Sequence, residues 1–480
     1  MNFLSDRAIE SVNFFTTYRC NSRCVNCFIW KGDDRSDIEP LTDEEIHGLF
    51  YDDPIVSRCH EIGFAGGEPT ISSFFWRALE LVPENRHITI TTNALSSARL
   101  IKTLNERGDR ENFVIQVSID GIGSVHDETR GIKGSYDKSL FLLERLRELG
   151  VPRLISFTIN SNNFHQLLQV YEIAEALGAE FSTRMAYCGG AYKNGGDDSV
   201  YSLEAGQLAS MDYSIKRIID SEIRKKNHYP ARIVFLSKIS DYCTGKQKDI
   251  ECGALHSGAV IDLYGDVFPN CPVIMKKLGN IRENTFDEIW RGDAAEKLRA
   301  HVEKFACGGC WNDCQVITNI ANDRPFLEKN YSDIKLKPVL AKTDLKYSFE
   351  MSDPESSGYL GTGWHHLEGQ SDFIYRWTAG HFVLAVPKDT ISVSFFCMPA
   401  PGSQGKDDLY ITARTDEGEL AHQLITSFEW HDIKVKFNAP FAENGICFFE
   451  MSQIFRPVSG LSGSDVRDLG MAVKSIKFIK

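Results

Sequence analysis

Between residue 13 and about residue 187 the chain alternates short β-prone runs with amphipathic helical stretches. This alternation restricts the fold most, because strands separated by helix-length connections pair parallel around one sheet. Six strands are expected, at Val12–Thr17, Glu61–Ala65, His87–Thr92, Phe113–Ile119, Leu154–Asn160 and Glu180–Ala186. Thr42-Asp43-Glu44-Glu45 reads as a helix-starting capping box, and Leu142, Leu143, Leu146 and Leu149 keep helical spacing until Gly150 and Pro152 end the run. A further helix carries Phe164, Leu167, Leu168 and Tyr171 on one face and stops near Gly178. Six βα repeats fall short of the eight that close a barrel, so an α/β fold with an open, partial (β/α)6 barrel is expected.

The 480 residues suffice for about three domains. From about 230 to 316 cysteines become dense, and Ala259–Tyr264 followed by Asp266–Phe268 reads as a hairpin turning at Gly265, in what looks like a small metal-bound insert. Asp323 to Thr343 is charged and poor in apolar periodicity, which marks a junction. Beyond it Phe382–Val386, Ile391–Phe396, Leu409–Ala413, Ile433–Phe437 and Ile446–Phe449 alternate between Gly, Pro and Asp turns, as in an all-β sandwich. The expected boundaries are a barrel over 1–229, a small cysteine-rich domain over 230–322, a linker over 323–345 and a β-sandwich over 346–480.

A formal charge of −13 opposes phosphate backbones, so nucleic acid is not an expected partner. MNFLSDRAIESVNFF has neither the basic start nor the apolar run of a signal peptide, and no stretch reaches the roughly 18 apolar residues of a membrane span, so a cytoplasmic chain is expected. In a reducing compartment its thirteen cysteines are available to metals rather than tied in disulfides. Cys20-Asn21-Ser22-Arg23-Cys24-Val25-Asn26-Cys27 sets three thiols in the loop leaving the first strand. A [4Fe–4S] cluster is ordinarily held by four cysteines, so a loop offering three leaves one iron open to a small molecule. The alternative, a closed zinc site, wants a second CxxC or a His pair nearby.

With Gly66-Gly67-Glu68-Pro69 after the second strand and Ser118-Ile119-Asp120-Gly121 after the fourth, this triplet resembles the radical S-adenosylmethionine (SAM) family over residues 13 to about 190. The resemblance implies that Cys20, Cys24 and Cys27 hold a [4Fe–4S] cluster whose open iron binds SAM. It further implies that Gly66, Gly67 and Glu68 approach the SAM amino group, that Ser118 and Asn160 face the ribose, and that Arg130 pairs with the carboxylate. Asn26 departs from the aromatic residue often found before the third cysteine, with Phe28 as its substitute. Gly121-Ile122-Gly123 lacks the third glycine of a dinucleotide fingerprint and no P-loop is present.

Cys252, then Cys271, then Cys307-Gly308-Gly309-Cys310 and Cys314 resemble the SPASM/Twitch extension of that family, which implies an auxiliary [4Fe–4S] cluster on Cys252, Cys271, Cys307 and Cys310, with Cys314 as an alternative ligand. Five residues separate Gly265 from Cys271 where four are usual, and the later cysteines of a two-cluster domain are missing, so one auxiliary cluster and two clusters in all are expected. A structural zinc knuckle held by four cysteines is the alternative. Cys243 is read as a bystander.

Gly363-Trp364-His365-His366-Leu367-Glu368, Arg376-Trp377-Thr378 and Asp465-Val466-Arg467-Asp468-Leu469-Gly470 resemble β-rich modules of glycan-biosynthesis proteins, which implies a carbohydrate context in which Trp364, Trp377 and Trp430 either stack on sugar or fill the core. No metal is assigned to His365, His366, His381, His422 or His431. By the family resemblance, a 5′-deoxyadenosyl radical takes hydrogen from a substrate C–H, dehydrogenating or epimerising a carbohydrate or polyol; the electron donor implied is a flavodoxin or ferredoxin. Cys188, after the sixth strand, is a candidate hydrogen donor or else a small buried residue, and Tyr187 and Arg184 are candidate substrate contacts. The alternatives are a peptide-modifying maturase, against which the early first strand leaves no room for a peptide-recognition domain, and a non-catalytic Fe–S carbohydrate-binding protein.

Overall fold

The computed structural model describes residues 9–32, 35, 37–186, 189–193, 202–225, 228–243, 250, 252–271, 273–303, 310–336, 346–353, 356, 359–360, 364–370, 373–378, 381–400, 408–415, 418–442, 444–453 and 470–480. They fall into two compact units, one of Met1–Val170, Leu177–Met211 and Pro230–Lys329, the other of Tyr171–Ala176, Asp212–Tyr229 and Asn330–Lys480.

The first unit is built on a nine-stranded sheet of β1 (Ser11–Phe15), β2 (Glu61–Ala65), β3 (His87–Thr92), β4 (Phe113–Ser118), β5 (Arg153–Ile159), β6 (Glu180–Met185), β7 (Gly258–Asp262), β8 (Asp266–Pro269) and β9 (Gly279–Asn280). Its order is β6-β5-β4-β3-β2-β1-β7-β8-β9, with β1 to β6 parallel and helices in the intervals. This is the expected partial barrel. Alternation along each strand divides its side chains between the helices and the opposite face. Phe14 and Phe64 turn to the helices, where Phe14 meets Phe50 at 5.3 Å and Phe64 meets Phe75 at 5.3 Å. The helix Asp43–Tyr51 starts at the capping box: the Thr42 hydroxyl accepts from Glu45 N–H, and the Glu45 carboxylate accepts from Thr42 N–H.

The cysteine-rich hairpin is not a separate insert. β7 pairs parallel with β1 from Ser11↔Gly258 to Phe15↔Asp262, and β8 and β9 extend the sheet antiparallel. An open barrel leaves the donors and acceptors of β1 free along one edge, and the hairpin covers them. Part of the segment expected as a linker is also regular, since Arg324–Leu336 forms a helix; residues 337–345 lie outside the described set. Among the described residues no helix is long and apolar enough to cross a membrane.

The second unit contains two antiparallel sheets. Its strands are β10 (Ser348–Glu350), β11 (Trp364–Gln370), β12 (Phe373–Thr378), β13 (His381–Val386), β14 (Ser392–Pro399), β15 (Leu409–Thr415), β16 (Gly418–Ile425), β17 (His431–Lys436), β18 (Gly445–Met451) and β19 (Met471–Ile479). One sheet runs β11-β12-β19-β14-β17 with β10 on β19, the other β13-β18-β15-β16. Phe382, Phe395 and Phe449 meet at its centre with ring centroids 5.1–6.0 Å apart. Trp364 packs into the same core, 5.0 Å from Phe382, and Trp377 is buried beside Ala400 and Ala472. Of the tryptophans expected to stack on sugar or fill the core, these two fill it. Gly363 and 465–469 lie outside the described residues.

Phe64→Ala removes a side chain that is 1% exposed and wedged between Phe14 and Phe75. It is expected to cost the first unit about 3–5 kcal/mol, read as a lower urea midpoint; an unchanged midpoint would contradict this packing.

Candidate metal centre

The three-thiol loop leaves β1 through Thr16 to Arg19 and is pinned from a segment more than a hundred residues away. Arg23 N–H donates to Arg130 O (2.8 Å), Val25 N–H to Thr129 O (3.0 Å) and the Ser22 hydroxyl to Arg130 O (3.1 Å). Those carbonyls lie at the C-terminal end of the short helix Ser124–Arg130, where no helical donor remains for them. Gly131 closes that helix at φ +66°, and a Cβ there would lie 2.5 Å from Arg23 O, so only glycine allows the contact.

All three thiols are free and partly buried. Cys20 Sγ accepts from Ser22 N–H (3.4 Å) and from Asn93 Nδ2 (3.7 Å), while Arg130 Nη1 lies 3.7 Å from Cys24 Sγ. Burial raises the Cys20 thiol above its ordinary value and pushes Cys27 up to about 12. Three thiolates here therefore need a cationic group, and the N–H donors aimed at two of the sulfurs suit metal-bound thiolates. Among the described residues no three His, Cys, Asp or Glu converge on a single ion. Three thiols in one loop, two of them served by N–H donors, would suit a [4Fe–4S] cluster held by three cysteines.

Gly66 and Gly67 are required first by the protein's own backbone. A Cβ on Gly66 would lie 2.6 Å from Thr17 O and one on Gly67 2.0 Å from Arg19 O, along the segment that leads to Cys20. Gly67 N–H donates to Thr17 O (2.7 Å) and Glu68 N–H to Arg19 O (3.0 Å). The Glu68 carboxylate, 1% exposed, accepts from Thr70 N–H (3.2 Å), the hydroxyls of Thr70 and Thr92 (both 2.7 Å) and Asn93 N–H (2.7 Å). Burial pushes its pKa up against those four bonds. Glu68 thus locks the end of β2 to the end of β3 and sets Asn93, whose Nδ2 reaches Asn21 Oδ1 (2.8 Å) as well as Cys20.

The residues expected to face the rest of SAM follow the C-terminal ends of β4 and β5, the edge where parallel sheets bind ligands. Ser118 ends β4. Two residues on, Asp120 holds Arg130 Nη2 (2.7 Å) and accepts from Thr158 N–H (2.7 Å). Arg130 Nε and Asn160 Nδ2 are buried donors with no partner among the described residues. Buried donors in native proteins are nearly always paired, so two orphans at this edge are consistent with a bound molecule. Sequence reasoning missed Asn93, whose signal was a polar residue directly after β3, and gave no role to Asp120, although it lies in the Ser118–Gly121 motif.

Cys252, Cys271 and Cys310 are partly buried, and Ile274 N–H donates to Cys271 Sγ (3.4 Å). Tyr187, Cys188 and Cys307 lie outside the described residues, as does the side chain of Cys314. The hairpin is tied to the thiol loop by charge. Tyr18, two residues before Cys20, donates to Asp262 Oδ2 (2.9 Å); Arg35 bridges Asp262 (3.0 Å) and Asp266 (2.8 Å) and lies over the rings of Tyr18 and Tyr264. Burial, then the neighbouring Asp262, pushes the Tyr18 hydroxyl pKa upward, so it stays a donor. Arg184, expected as a substrate contact, is engaged by Asp313 (2.9 Å) and the Ser156 hydroxyl (3.1 Å), and Ser182 also donates to Asp313.

Residues 14–174 match the radical SAM superfamily, and residues 252–314 match SPASM, an iron–sulfur cluster-binding domain. The chain is 26% identical to the pre-heme d1 synthase of Dinoroseobacter shibae, covering 61% of this chain and 77% of that protein. It is 25% identical to a mycofactocin maturase of Mycolicibacterium smegmatis, over 61% of this chain and 73% of that one. It is 29% identical to the PqqA peptide cyclase of Rhodopseudomonas palustris, over 37% and 47% respectively.

His126 is buried, accepts from Asp120 N–H at 3.0 Å, and has its pKa lowered to about 3 by burial and then by the Arg130 charge, against Asp127. Unfolded, it titrates near 6.5. Between those values only the unfolded chain takes the proton, so stability falls as pH drops below about 6.5, by at most about 1.4 kcal/mol per pH unit. The urea midpoint of the wild type is expected to fall more between pH 7.5 and pH 5 than that of His126→Gln; equal losses would contradict a neutral buried imidazole.

Proposed function

Because this chain carries a radical SAM partial barrel followed by an iron–sulfur cluster-binding SPASM domain, with SAM and [4Fe–4S] clusters as its cofactors, we propose that it is a radical SAM enzyme that removes a hydrogen atom from a C–H bond of a peptide and leaves an oxidised product. When bound, the reduced cluster and SAM supply a 5′-deoxyadenosyl radical, and an auxiliary cluster supplies an electron acceptor. The observation that carries the reading is a loop of three partly buried thiols, held by backbone bonds from Thr129 and Arg130 and served by donors from Asn93 and Arg130.

Cys20, Cys24 and Cys27 hold the first cluster. Arg130, whose Nε is buried without a partner among the described residues, would pair with the SAM carboxylate, while Asp120 keeps the guanidinium from swinging away. Ser118 and Asn160 take the ribose. Glu68 acts through Asn93, and the glycine pair keeps its backbone close to the loop. Cys252, Cys271, Cys307 and Cys310, with Cys314 as the replacement, hold one auxiliary cluster. An epimerising outcome would assign hydrogen return to Cys188.

The peptide reading draws on the maturase and the peptide cyclase among the relatives. A carbohydrate substrate is the second reading, favoured by one feature of the second unit: Trp430 meets the exposed Phe373 edge-to-face at 4.8 Å, and Tyr375 lies 5.6 Å away. Phe373 is the exposed member of this group, with Lys474 Nζ 4.6 Å from its ring centroid. A soluble electron donor of the flavodoxin or ferredoxin type completes the partner set.

Anaerobically reconstituted wild type is expected to hold about eight irons and the Cys20→Ala/Cys24→Ala/Cys27→Ala variant about four, at four per cluster, with SAM cleavage lost only in the variant. A variant that keeps all its iron would contradict the assignment of these thiols, and about twelve irons in the wild type would contradict a single auxiliary cluster.

A further inference from the structure

A cavity of about 400 Å³ opens between the segment that follows Cys271 and the helix Asp293–Glu303. Among the described residues Val273, Ile274 and Leu298 line it with apolar surface, and Lys276, Lys297 and His301 supply its polar groups. Its volume is within the range of ligand sites, and its described lining divides evenly between apolar and cationic or imidazole side chains. Lys297 and His301 stand one helical turn apart, so their ends share a face.

The charges around it are selective. The chain carries −13 overall, and neighbouring cations are paired: Lys277 with Asp266 (2.5 Å) and Arg299 with Glu296 (3.0 Å). Lys276 and Lys297 have no ion-pair partner among the described residues. In a chain rich in carboxylates, two unpaired ammonium groups beside an imidazole, lining one cavity, make a locally cationic cavity.

The cavity also adjoins the centre described above. Gly190 N–H donates to Val273 O (3.2 Å), and a Cβ on Gly190 would touch Met275 at 3.1 Å. The same short turn, Gly190–Tyr192, accepts Phe28 N–H at Tyr192 O (2.7 Å), one residue beyond Cys27. One turn therefore separates the thiol loop from the cavity wall.

We propose that this cavity is a subsite for an acidic side chain of the substrate peptide, its carboxylate held by Lys276, Lys297 and His301 and its methylenes against Val273, Ile274 and Leu298. The assignment rests on the peptide reading for the identity of the ligand, and on the cavity alone for its charge and position. The shared chemistry is an oxyanion on an apolar stem, and a free small anion is the competing source.

The test uses the full-length, anaerobically reconstituted protein and a fluorescein-labelled hexapeptide of alternating Phe and Glu, with its Phe/Gln counterpart as the neutral probe. Anisotropy is expected to show binding of the acidic peptide that weakens with added salt, and the Lys276→Ala/Lys297→Ala variant is expected to weaken it about tenfold or more while Lys276→Arg/Lys297→Arg restores it. Acidic-peptide binding that the alanine variant leaves unchanged, or equal binding of the neutral peptide, would overturn the proposal. Displacement of the peptide by an equal concentration of inorganic phosphate or citrate would assign the cavity to free anions and overturn the peptide source. SAM cleavage without peptide is expected to be the same in wild type and alanine variant. A wild type that binds the acidic peptide but never cleaves SAM defeats the radical enzyme and leaves the cavity standing; intact cleavage without peptide binding does the reverse.

Discussion

Three thiols gathered in one short loop leave backbone donors that the loop cannot all satisfy itself, and here Thr129 and Arg130 accept from Val25 and Arg23. The rest of the barrel's upper edge is arranged around that requirement. The helix that offers those carbonyls must end where it does, which Gly131 ensures by adopting a left-handed backbone beneath Arg23. The arginine at its end must not leave, and Asp120 retains it from the strand below. On the other side, Gly66 and Gly67 let the β2 exit run against Thr17 and Arg19, and Glu68 fastens that exit to Asn93, one of the donors to Cys20. Loops from four strands thus meet through bonds that span long sequence distances.

A second consequence follows from the barrel being open. The free edge of β1 is covered by the hairpin β7–β8, so the segment that carries Cys271 grows directly from the sheet that carries Cys20. The Tyr18–Asp262–Arg35–Asp266 chain then fixes how β1's exit and the hairpin's turn are held together. Cys20 and Cys271, separated by more than two hundred residues, thus leave strands of one sheet.

Much of this was legible in the residues. All six barrel strands fall within a residue or two of their expected places because each is a short β-prone run between helical stretches, and the hairpin turns at Gly265 as its sequence suggests. What the sequence hid was pairing between distant segments. Nothing in Gly258–Asp262 announces a parallel partner at β1, since register depends on which edge is left uncovered. The central strand β19 was missed for a local reason. Met471 and Val473 face the core, but after a bulge opposite Phe396 and Cys397 the inward residues become Ile476 and Phe478, so the alternation breaks at Lys474. β16 was missed as an edge strand whose residues, Gly418–Ile425, read as mixed polar. In the site, the cysteines, Glu68 and Arg130 could be picked out, yet the fourfold internal bonding of Glu68 could not. A carboxylate that binds a ligand and one that holds a loop look alike until their neighbours are in place.

The central claim is that the loop of Cys20, Cys24 and Cys27 leaves one iron of its cluster open to SAM. Electron paramagnetic resonance of the dithionite-reduced, reconstituted protein tests it most directly, recorded with and without SAM and repeated with SAM carrying 15N in its amino group. The account predicts that SAM shifts the cluster signal and brings a nitrogen coupling that changes from the 14N to the 15N pattern with the label. A signal that SAM leaves unchanged in every respect would contradict it.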